Sequence, residues 1–305
     1  MTDSPAYTVA LCTHNHADRL TRTLADLPQV RPPREAWELM IIDNGSRDVT
    51  PQLLAAHQWP AGWHVRVVRE EKLGLSNARN RAIAEARADY VIFMDDDETA
   101  DPDWLCAFER LIDTQRPDAF GGRIRVLFED QRPSWLADEL LGFLGELNRA
   151  DAIVPLTAED TSFFGGNFGF RREVIALVGG FDALLGRKGS ANNGGEEVDF
   201  YRRLLAAGLS VWWTPEAVIH HRIQAAKLER SYFLDLHYRQ GRIQGTRARA
   251  DQSRLPPRYL LPQAARAYGR ALGKRLREGS DHSLRLEMNA AYFTGYLLGW
   301  MRDPA

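Results

Sequence analysis

Short apolar runs alternate with helix-like patterns through the first hundred residues of the chain. A run of four to eight apolar residues predicts a buried strand, whereas apolar residues spaced three or four apart predict a helix. Buried strands are predicted at residues 7–13, 39–42, 64–69 and 90–94, with helices between them that include residues 18–27 and 75–88. This alternation is typical of β-α-β units around a mostly parallel sheet, so we expect an α/β fold.

The pattern is less regular after a further predicted strand at residues 123–128. Residues 129–162 are expected to form the loops of a variable binding region. The elements predicted beyond it are an ordered segment at 163–171, a helix at 196–207 and two short strands at 211–214 and 217–219. From Lys227 onward the pattern is helical, with interruptions at Pro256-Pro257 and near Gly279.

The composition is that of an ordinary globular protein. The 305 residues are 44% hydrophobic and 26% charged, which excludes disordered and collagen-like classes. The two cysteines, Cys12 and Cys106, are far apart in the sequence, and we expect both to be reduced and to fill the core. Because the N-terminus has no signal-peptide pattern and no stretch reaches the ~18 apolar residues of a spanning helix, we expect a cytoplasmic protein.

Charge is distributed unevenly along the chain. Residues 1–221 contain 23 basic and 34 acidic side chains, whereas residues 222–279 contain 14 basic and 4 acidic ones. A basic segment of this kind is either a solvated helical face or a surface for an anionic lipid or nucleic acid.

Three consecutive aspartates follow the strand predicted at residues 90–94. Carboxylates beside a core repel one another, so Asp95, Asp96 and Asp97 call for a nearby positive charge. Ligands of open α/β sheets bind beyond the carboxyl ends of the strands, where Mg²⁺ or Mn²⁺ could be held by carboxylates and substrate phosphates. The alternative is that this acidic turn, with Glu98 and Asp101, caps a helix.

Polar residues also follow the neighbouring strands. Thr13 and Asn15 follow the first strand, and Asp43 ends the second, where they could contact the base and ribose of a nucleotide. Gly74 and Arg79 lie at the start of the alanine-rich helix, and Arg79 could pair with a phosphate or with an aspartate of the site. Taken singly, Thr13, Asn15 and Asp43 are more often turn or cap residues, but their convergence at three strand ends favours a nucleotide site.

A second acidic group begins the helix predicted at residues 196–207. Glu196 and Glu197 follow Gly194-Gly195, and acidic residues in a first turn are also favoured by the helix dipole. One of the two could cap the helix while the other serves as a general base, with the glycines allowing a loop to close over substrate. Of the paired His220 and His221, one could be a further metal ligand or an ordinary packed histidine.

The order of these motifs resembles that of the family 2 glycosyltransferases with the GT-A fold. The matching segments cover about the first 220 residues: VALCTHN (Val9–Asn15), IIDNGSRD (Ile41–Asp48), GLSNARN (Gly74–Asn80), FMDDDE (Phe93–Glu98), GGNFGFRR (Gly165–Arg172), VGGFD (Val178–Asp182), GGEEVDFYRRL (Gly194–Leu204) and HHR (His220–Arg222).

The resemblance implies a Rossmann-like mixed sheet flanked by helices, and inverting transfer of a sugar from a nucleotide-diphosphate donor, expected to be UDP-linked, to an acceptor hydroxyl. It also implies a divalent cation, Mn²⁺ or Mg²⁺. By motif position, the resemblance implies a metal site at Asp97 and His221, and Glu197 as the base. It implies acceptor contacts at Gly166, Asn167 and Glu196. The implied donor-binding residues are Thr13, Asn15, Asp43, Gly74, Arg79, Asp95 and Asp96. Glutamate stands at Glu197 where the family has aspartate, which leaves open whether Glu196 or Glu197 is the base.

The resemblance also suggests how the chain is organised. Residues 1–222 are expected to form the catalytic domain, with donor binding in 1–128 and acceptor binding in 129–222, and residues 223–305 a basic helical extension. The expected partners are a nucleotide sugar and a glycan or lipid-linked acceptor of cell-envelope or extracellular polysaccharide or glycolipid synthesis, not nucleic acid. The basic helices either contact the inner face of a membrane peripherally or pack on the catalytic domain or a second copy of the chain.

Two other functions are compatible with the residues alone. A sugar-phosphate nucleotidyltransferase would also use an α/β sheet and metal-binding aspartates, although the sequence lacks a glycine-rich phosphate loop with Arg or Lys near the first strand. A non-catalytic protein could bind an anionic partner through its basic helices.

Overall fold

A computed structural model describes residues 5–185, 195–250 and 257–301 of the chain. Gly194 and Pro256, which were assigned to a glycine-rich loop and a helix break, lie outside the described residues.

The described residues form a nine-stranded mixed sheet. Its strands are β1 (Tyr7–Thr13), β2 (Trp37–Asp43), β3 (Val65–Arg69), β4 (Tyr90–Asp95), β5 (Glu98–Ala100), β6 (Ala119–Phe128), β7 (Val154–Pro155), β8 (Phe168–Arg171) and β9 (Val211–Ile223). They are ordered β3-β2-β1-β4-β8-β6-β9-β5, and β7 pairs with β9. The first four strands are parallel to one another, whereas β8 runs antiparallel to both β4 and β6, and β9 runs antiparallel to β5 and β7.

Helices follow or flank these strands. They are α1 (Ala17–Asp26), α2 (Thr50–Ala56), α3 (Leu75–Glu85), α4 (Trp104–Gln115), α5 (Ile175–Val178), α6 (Glu196–Ala206), α7 (Arg230–Ala250), α8 (Leu260–Glu278) and α9 (Ser280–Met301). Short 3₁₀ segments lie at Leu27–Gln29, Asp138–Leu144, Arg172–Val174 and Ala225–Leu228.

The parallel strands are buried on both faces, which explains their continuous apolar sequences. All seven residues of β1 are buried, and Leu20 and Leu24 of α1 and Ala78 and Ala82 of α3 belong to the same hydrophobic core. Register places Thr13 opposite Asp43, and Cys12 opposite Asp95. The polar residues that follow three strands therefore meet at one edge of the sheet.

Several strands differ from the sequence prediction. Strands β5 and β7 were not predicted, β6 begins at Ala119 rather than at residue 123, and β9 is continuous where two short strands were expected. Long-range pairing accounts for β5 and β9: one end of β9 pairs with β7, and the other pairs with Glu98–Ala100 through residues 219–221. Local sequence carries no information on such partners.

The cysteines also differ from one another. Cys12 is buried in β1, and burial raises the pKa of its thiol to about 12. Cys106 is only partly buried, so it does not fill the core as expected.

The chain divides into two compact units. One comprises Met1–Arg125 and Gly145–Arg222, and the other comprises Val126–Leu144 and Ile223–Ala305. The expected division, with a catalytic domain at residues 1–222 and a helical extension at residues 223–305, stays a prediction. In the second unit, Leu140, Leu141 and Leu144 share a hydrophobic cluster with Phe233 and Leu284.

Within the second unit, α7 and α9 pack backbone against backbone through glycines. Gly241 and Gly245 are one turn apart on α7, as are Gly295 and Gly299 on α9. A methyl group added to any of the four would overlap a carbonyl oxygen of the facing helix. Small residues spaced by four therefore allow the close approach of the two helices, a pattern that the sequence analysis did not identify.

We predict opposite effects for two glycine-to-alanine changes in these helices. Gly245→Ala should lower the thermal unfolding midpoint, since overpacking typically costs about 1–3 kcal/mol. Gly269→Ala in α8 is the matched control, because an added methyl there meets no described atom within 4 Å. It should raise the midpoint slightly, since alanine is favoured over glycine in a helix by roughly 0.5–1 kcal/mol. Calorimetry of both variants tests this, and an unchanged midpoint for Gly245→Ala would contradict it.

Candidate active site

The first of the clustered aspartates remains accessible, whereas the second faces the interior. The Asp95 side chain is 37% exposed and lies at the end of β4. Asp96 is 6% exposed, and its carboxylate accepts a 2.6 Å hydrogen bond from the Thr13 hydroxyl and lies 3.0 Å from His16 Nδ1. Thr13 and Asp96 therefore connect β1 to the acidic turn. Thr13 and Asp96 were both expected to contact the donor. Instead, both side chains are buried, and the Thr13 hydroxyl and the Asp96 carboxylate bind each other.

Asp97 lies beside a histidine and an arginine. Its Oδ2 atom is 3.5 Å from His221 Nε2 and 3.5 Å from Arg19 Nη1. The neighbouring His220 instead places Nε2 2.8 Å from the Asp101 carboxylate, because successive residues of β9 point to opposite faces of the sheet. Of the two adjacent histidines, His221 is thus the one brought to Asp97.

The pair Asp97 and His221 suits a hard divalent cation that completes its coordination with substrate oxygens. Mg²⁺ and Mn²⁺ sites of this kind use one or two carboxylates, water and phosphate, and an imidazole is a common further ligand. Among residues 5–185, 195–250 and 257–301, no three His, Cys, Asp or Glu side chains are grouped as a complete metal site.

Glu98 is a buried member of the acidic turn rather than a helix cap. Its Oε2 atom accepts a 2.8 Å hydrogen bond from the Asp95 backbone N–H. Burial, and then the charges of Asp95 and Asp97, raise the pKa of the Glu98 carboxyl well above its usual value, which favours the neutral form. Gly166 packs directly on this carboxyl, and a side chain at residue 166 would overlap it.

The loops after β1 and β2 are held together by their own polar groups. Asp43 is buried, and its carboxylate accepts 2.9 Å hydrogen bonds from Ser46 N–H and from Arg69. Asn15 has a positive φ of 54° and accepts a hydrogen bond from Arg47 N–H at 2.7 Å. Gly74 donates its N–H to the Asn44 side chain at 2.8 Å. These contacts shape the loops around the edge of the sheet, and the Gly74 amide is already engaged.

A buried ion cluster links the start of α6 to the end of β4. Arg79 Nη1 donates to Glu197 Oε1 at 2.9 Å and to Glu196 Oε1 at 3.2 Å, and Arg79 Nη2 lies 3.7 Å from Asp95 Oδ1. The side chains of Arg79 and Glu196 are each 1% exposed, whereas that of Glu197 is 18% exposed. Of the two options for Arg79, the structure thus shows pairing with carboxylates.

Asn167 is located within the structural core and not on a surface that an acceptor could reach. Its side-chain oxygen accepts a hydrogen bond from Trp104 Nε1 at 2.8 Å. Its amide donates to the carbonyls of Arg123 at 2.8 Å and Ala217 at 2.9 Å. The expected acceptor-side role is therefore corrected: this amide joins β6, β9 and α4, and its hydrogen-bonding groups are already used.

Sequence reasoning missed His16 and Arg19, and it named Glu98 only as a possible helix cap. His16 and Arg19 lie at the start of α1, directly after β1, so their position at the carboxyl end of a strand was the available signal. The burial of Glu98 depends on its pairing opposite His221 in β9 and had no local signal.

The family match and the fold together define the class: a glycosyltransferase of the GT-A fold. Residues 8–178, more than half of the chain, match the model of Glycosyl transferase family 2, and the chain belongs to that family. The family prediction from the motifs is confirmed. Glu196, Glu197 and His221 lie beyond the matched residues.

Relatives agree with this assignment, and solved structures agree with the fold. Succinoglycan biosynthesis protein ExoM of Rhizobium meliloti (strain 1021) is 25% identical over 244 residues, covering 78% of this chain and 73% of that protein. The mannosyltransferase PcManGT from Pyrobaculum calidifontis, solved with GDP-Man and Mn²⁺, has a TM-score of 0.55 at 17% identity, covering 98% of this chain and 86% of that one. GalNAc-T7, solved with UDP, GalNAc and Mn²⁺, has a TM-score of 0.57 at 16% identity. The similarity covers 84% of this chain and 52% of that one. These two structural similarities confirm the GT-A fold that the motifs predicted.

Proposed function

We propose that this glycosyltransferase moves a sugar from a nucleotide-diphosphate donor to an acceptor hydroxyl with inversion at the anomeric carbon. The observation that carries the proposal is the location of the Asp97–His221 pair and of Glu197 in the same compact unit, with Asp95 ion-paired to the arginine that binds Glu197. A cation-binding pair and a carboxylate base are the two components that a single displacement requires.

The donor is expected to be UDP-linked, and GDP-linked sugars are the main alternative. Two structures of similar fold were solved with Mn²⁺, one with UDP and one with GDP-Man. Asp97 and His221 would hold the cation, and Asp95 and the loops shaped by Asn15, Asp43 and Gly74 would surround the nucleotide. When bound, the cation neutralises the charge that develops on the leaving diphosphate.

The chain's own residues account for the remaining chemistry. The acceptor oxygen forms a bond to the anomeric carbon while the bond from that carbon to the diphosphate oxygen breaks, and the nucleoside diphosphate leaves with the electron pair. The acceptor proton moves to the carboxylate of Glu197. Of the two adjacent glutamates, Glu197 takes this role because it is partly exposed, whereas Glu196 is buried.

Asp97→Asn tests the proposed cation site, since it keeps the size of the side chain and removes its charge. We expect the stabilisation by UDP with Mn²⁺ to disappear in thermal-shift measurements. Turnover should fall by more than roughly 10-fold. Turnover is measured as UDP or GDP release from UDP-glucose, UDP-galactose, UDP-N-acetylglucosamine and GDP-mannose. Asp130→Asn, at an exposed position, is the matched control. Full wild-type turnover in excess chelator would rule out the metal role.

Glu197→Gln tests the base, because the amide cannot accept the proton. We expect turnover of the same donors to fall roughly 10² to 10⁴-fold, the usual contribution of general base catalysis, while UDP affinity stays near that of the wild type. Glu196→Gln should have the milder effect. If the Glu196 variant is the inactive one, the base has been assigned to the wrong residue of the pair. If neither variant loses turnover, the mechanism itself is wrong.

The acceptor is proposed to be a growing glycan, free or lipid-linked, in polysaccharide synthesis. The similarity to a succinoglycan biosynthesis protein supports this class of product. Family membership favours glycosyl transfer over nucleotidyl transfer and over a purely binding function. Release of nucleoside diphosphate, and not of pyrophosphate from a triphosphate, distinguishes the first two reactions.

The outer face of α8 supports a peripheral contact with an anionic membrane. Leu261, Tyr268, Leu272 and Leu276 are each more than half exposed, and their spacing places them on one face of the helix. Exposed basic side chains lie along the same helix: Arg266, Arg270, Arg275 and Arg277. No helix in the described parts of the chain is long and apolar enough to cross a membrane. A surface contact would place the enzyme at the inner face of the membrane, as expected from the sequence.

Vesicle sedimentation tests this contact. The protein should sediment with phosphatidylglycerol vesicles at low salt but not with phosphatidylcholine vesicles, and added salt should release it. Changing Arg270, Lys274, Arg275 and Arg277 to Gln should weaken binding by more than 10-fold, since each basic residue near such a surface contributes about 1 kcal/mol. Absence of sedimentation at low salt would refute membrane contact. Light scattering would then show whether the exposed face joins two copies of the chain.

A further inference from the structure

Arg79 is a fully buried cation inside an aromatic shell. Its guanidinium carbon lies 5.5 to 5.9 Å from the ring centres of Phe93, Phe168 and Phe181. A charge removed from water at this depth is strongly unfavourable unless nearby opposite charges compensate for it. The surroundings of Arg79 must therefore supply that compensation.

The compensation comes from two separate elements. Glu196 and Glu197 belong to the first turn of α6, and Asp95 ends β4, with Arg79 between them on α3. Burial alone would lower the pKa of the guanidinium, but the carboxylates of Glu197, Asp95 and Glu196 together raise it. Arg79 therefore stays charged and connects the acidic start of α6 to the acidic turn after β4.

Steric packing keeps this connection in place. Gly165 lies against the cluster so closely that a methyl group on it would overlap both Arg79 Nη2 and Glu197 Oε1. Glu197 is thus held between a guanidinium at 2.9 Å and the backbone of a glycine. Both contacts limit the positions that the Glu197 carboxylate can take.

We infer that Arg79 is a positioning residue that holds the Glu197 carboxylate for proton transfer, an inference that rests on the proposed role of Glu197 as the base. A glutamate side chain has three rotatable bonds, and a displacement of about 1 Å in a reacting group can cost 10²-fold in rate. Arg79 fixes the carboxylate through a charged hydrogen bond. Because the same guanidinium also pairs with Asp95, the position of the base is tied to the part of the sheet where the donor is proposed to bind.

A double-mutant cycle between Arg79 and Glu197 tests the inference. Arg79→Met alone should lower turnover of the best donor in the nucleotide-sugar panel by about 10 to 10²-fold. In the Glu197→Gln background the same change should have little further effect, because residues that act through one another are not additive. Arg79→Lys, which restores a positive charge without the planar fork, should recover part of the loss.

The affinity for UDP and the turnover of the single and double variants together distinguish a positioning role of Arg79 from other roles. The affinity for UDP with Mn²⁺, measured by calorimetry, should be unchanged in Arg79→Met, and a fall in UDP affinity that matches the fall in turnover would show a donor contact instead. An equal loss of turnover in both backgrounds would overturn the inference while leaving Glu197 as the base. Full turnover of Glu197→Gln alone would instead overturn the proposed base, and the inference with it.

Further variants cover the possibility that Arg79→Met does not fold. Gly165→Ala displaces both the guanidinium and the Glu197 carboxylate without removing any charge, and it should reproduce the loss of turnover and the non-additivity with Glu197→Gln. Arg81→Met is the matched control on the same helix, because Arg81 is 41% exposed and pairs with Glu85 at 2.8 Å. It should retain wild-type turnover. Additive losses for Gly165→Ala and Glu197→Gln would contradict the inference independently of Arg79→Met.

Discussion

Like charges collect at the carboxyl edge of the sheet, and the architecture of the candidate active site depends on how they are balanced. Asp95, Asp96, Asp97 and Glu98 are consecutive, and Glu196 and Glu197 lie near Arg79, which also pairs with Asp95. Each carboxylate is stabilised differently. Asp96 faces Thr13 and His16, Asp97 faces His221 and Arg19, and Glu98 is favoured in its neutral form. Arg79 then binds three of the carboxylates at once.

This balance divides the acidic residues into two groups with different tasks. Asp96, Glu98 and Glu196 are buried and maintain the shape of the site. Asp95, Asp97 and Glu197 retain more exposure, so they are the ones able to meet ligands. The close approach of Gly165 and Gly166 to Arg79, Glu197 and Glu98 explains why this segment carries no side chains at those two positions. Backbone at van der Waals distance replaces water around the buried charges.

Much of the fold followed from local patterns. The predicted range of β1 agrees with the structure, and β3, β4 and α6 differ from their predicted ranges by one residue. The elements that were missed or misjudged depend on distant partners. Strand β5 exists because Glu98–Ala100 pairs with residues 219–221, and the contact of α7 with α9 depends on glycines that meet across two helices. Hydrophobic periodicity describes which face of one segment is buried, and it contains no information about the segment on the other side.

The sequence by itself determined the α/β class and the family, and it predicted a set of site residues that includes Asp95, Asp97, Glu197 and His221. It did so because acidic residues at the end of an apolar strand, or at the start of a helix, follow from chain order alone. Only the tertiary structure decided which of these groups are buried and which keep some exposure. His220 and His221 are adjacent yet have opposite environments, because the direction of a side chain on a strand is fixed by the pairing of that strand. Asp96 and Asp97 also differ, because the turn between β4 and β5 directs one toward Thr13 and the other toward His221. The burial of Asn167 and Arg79 was likewise decided by packing among α3, α4, α6 and the sheet, which brings together residues far apart in the chain.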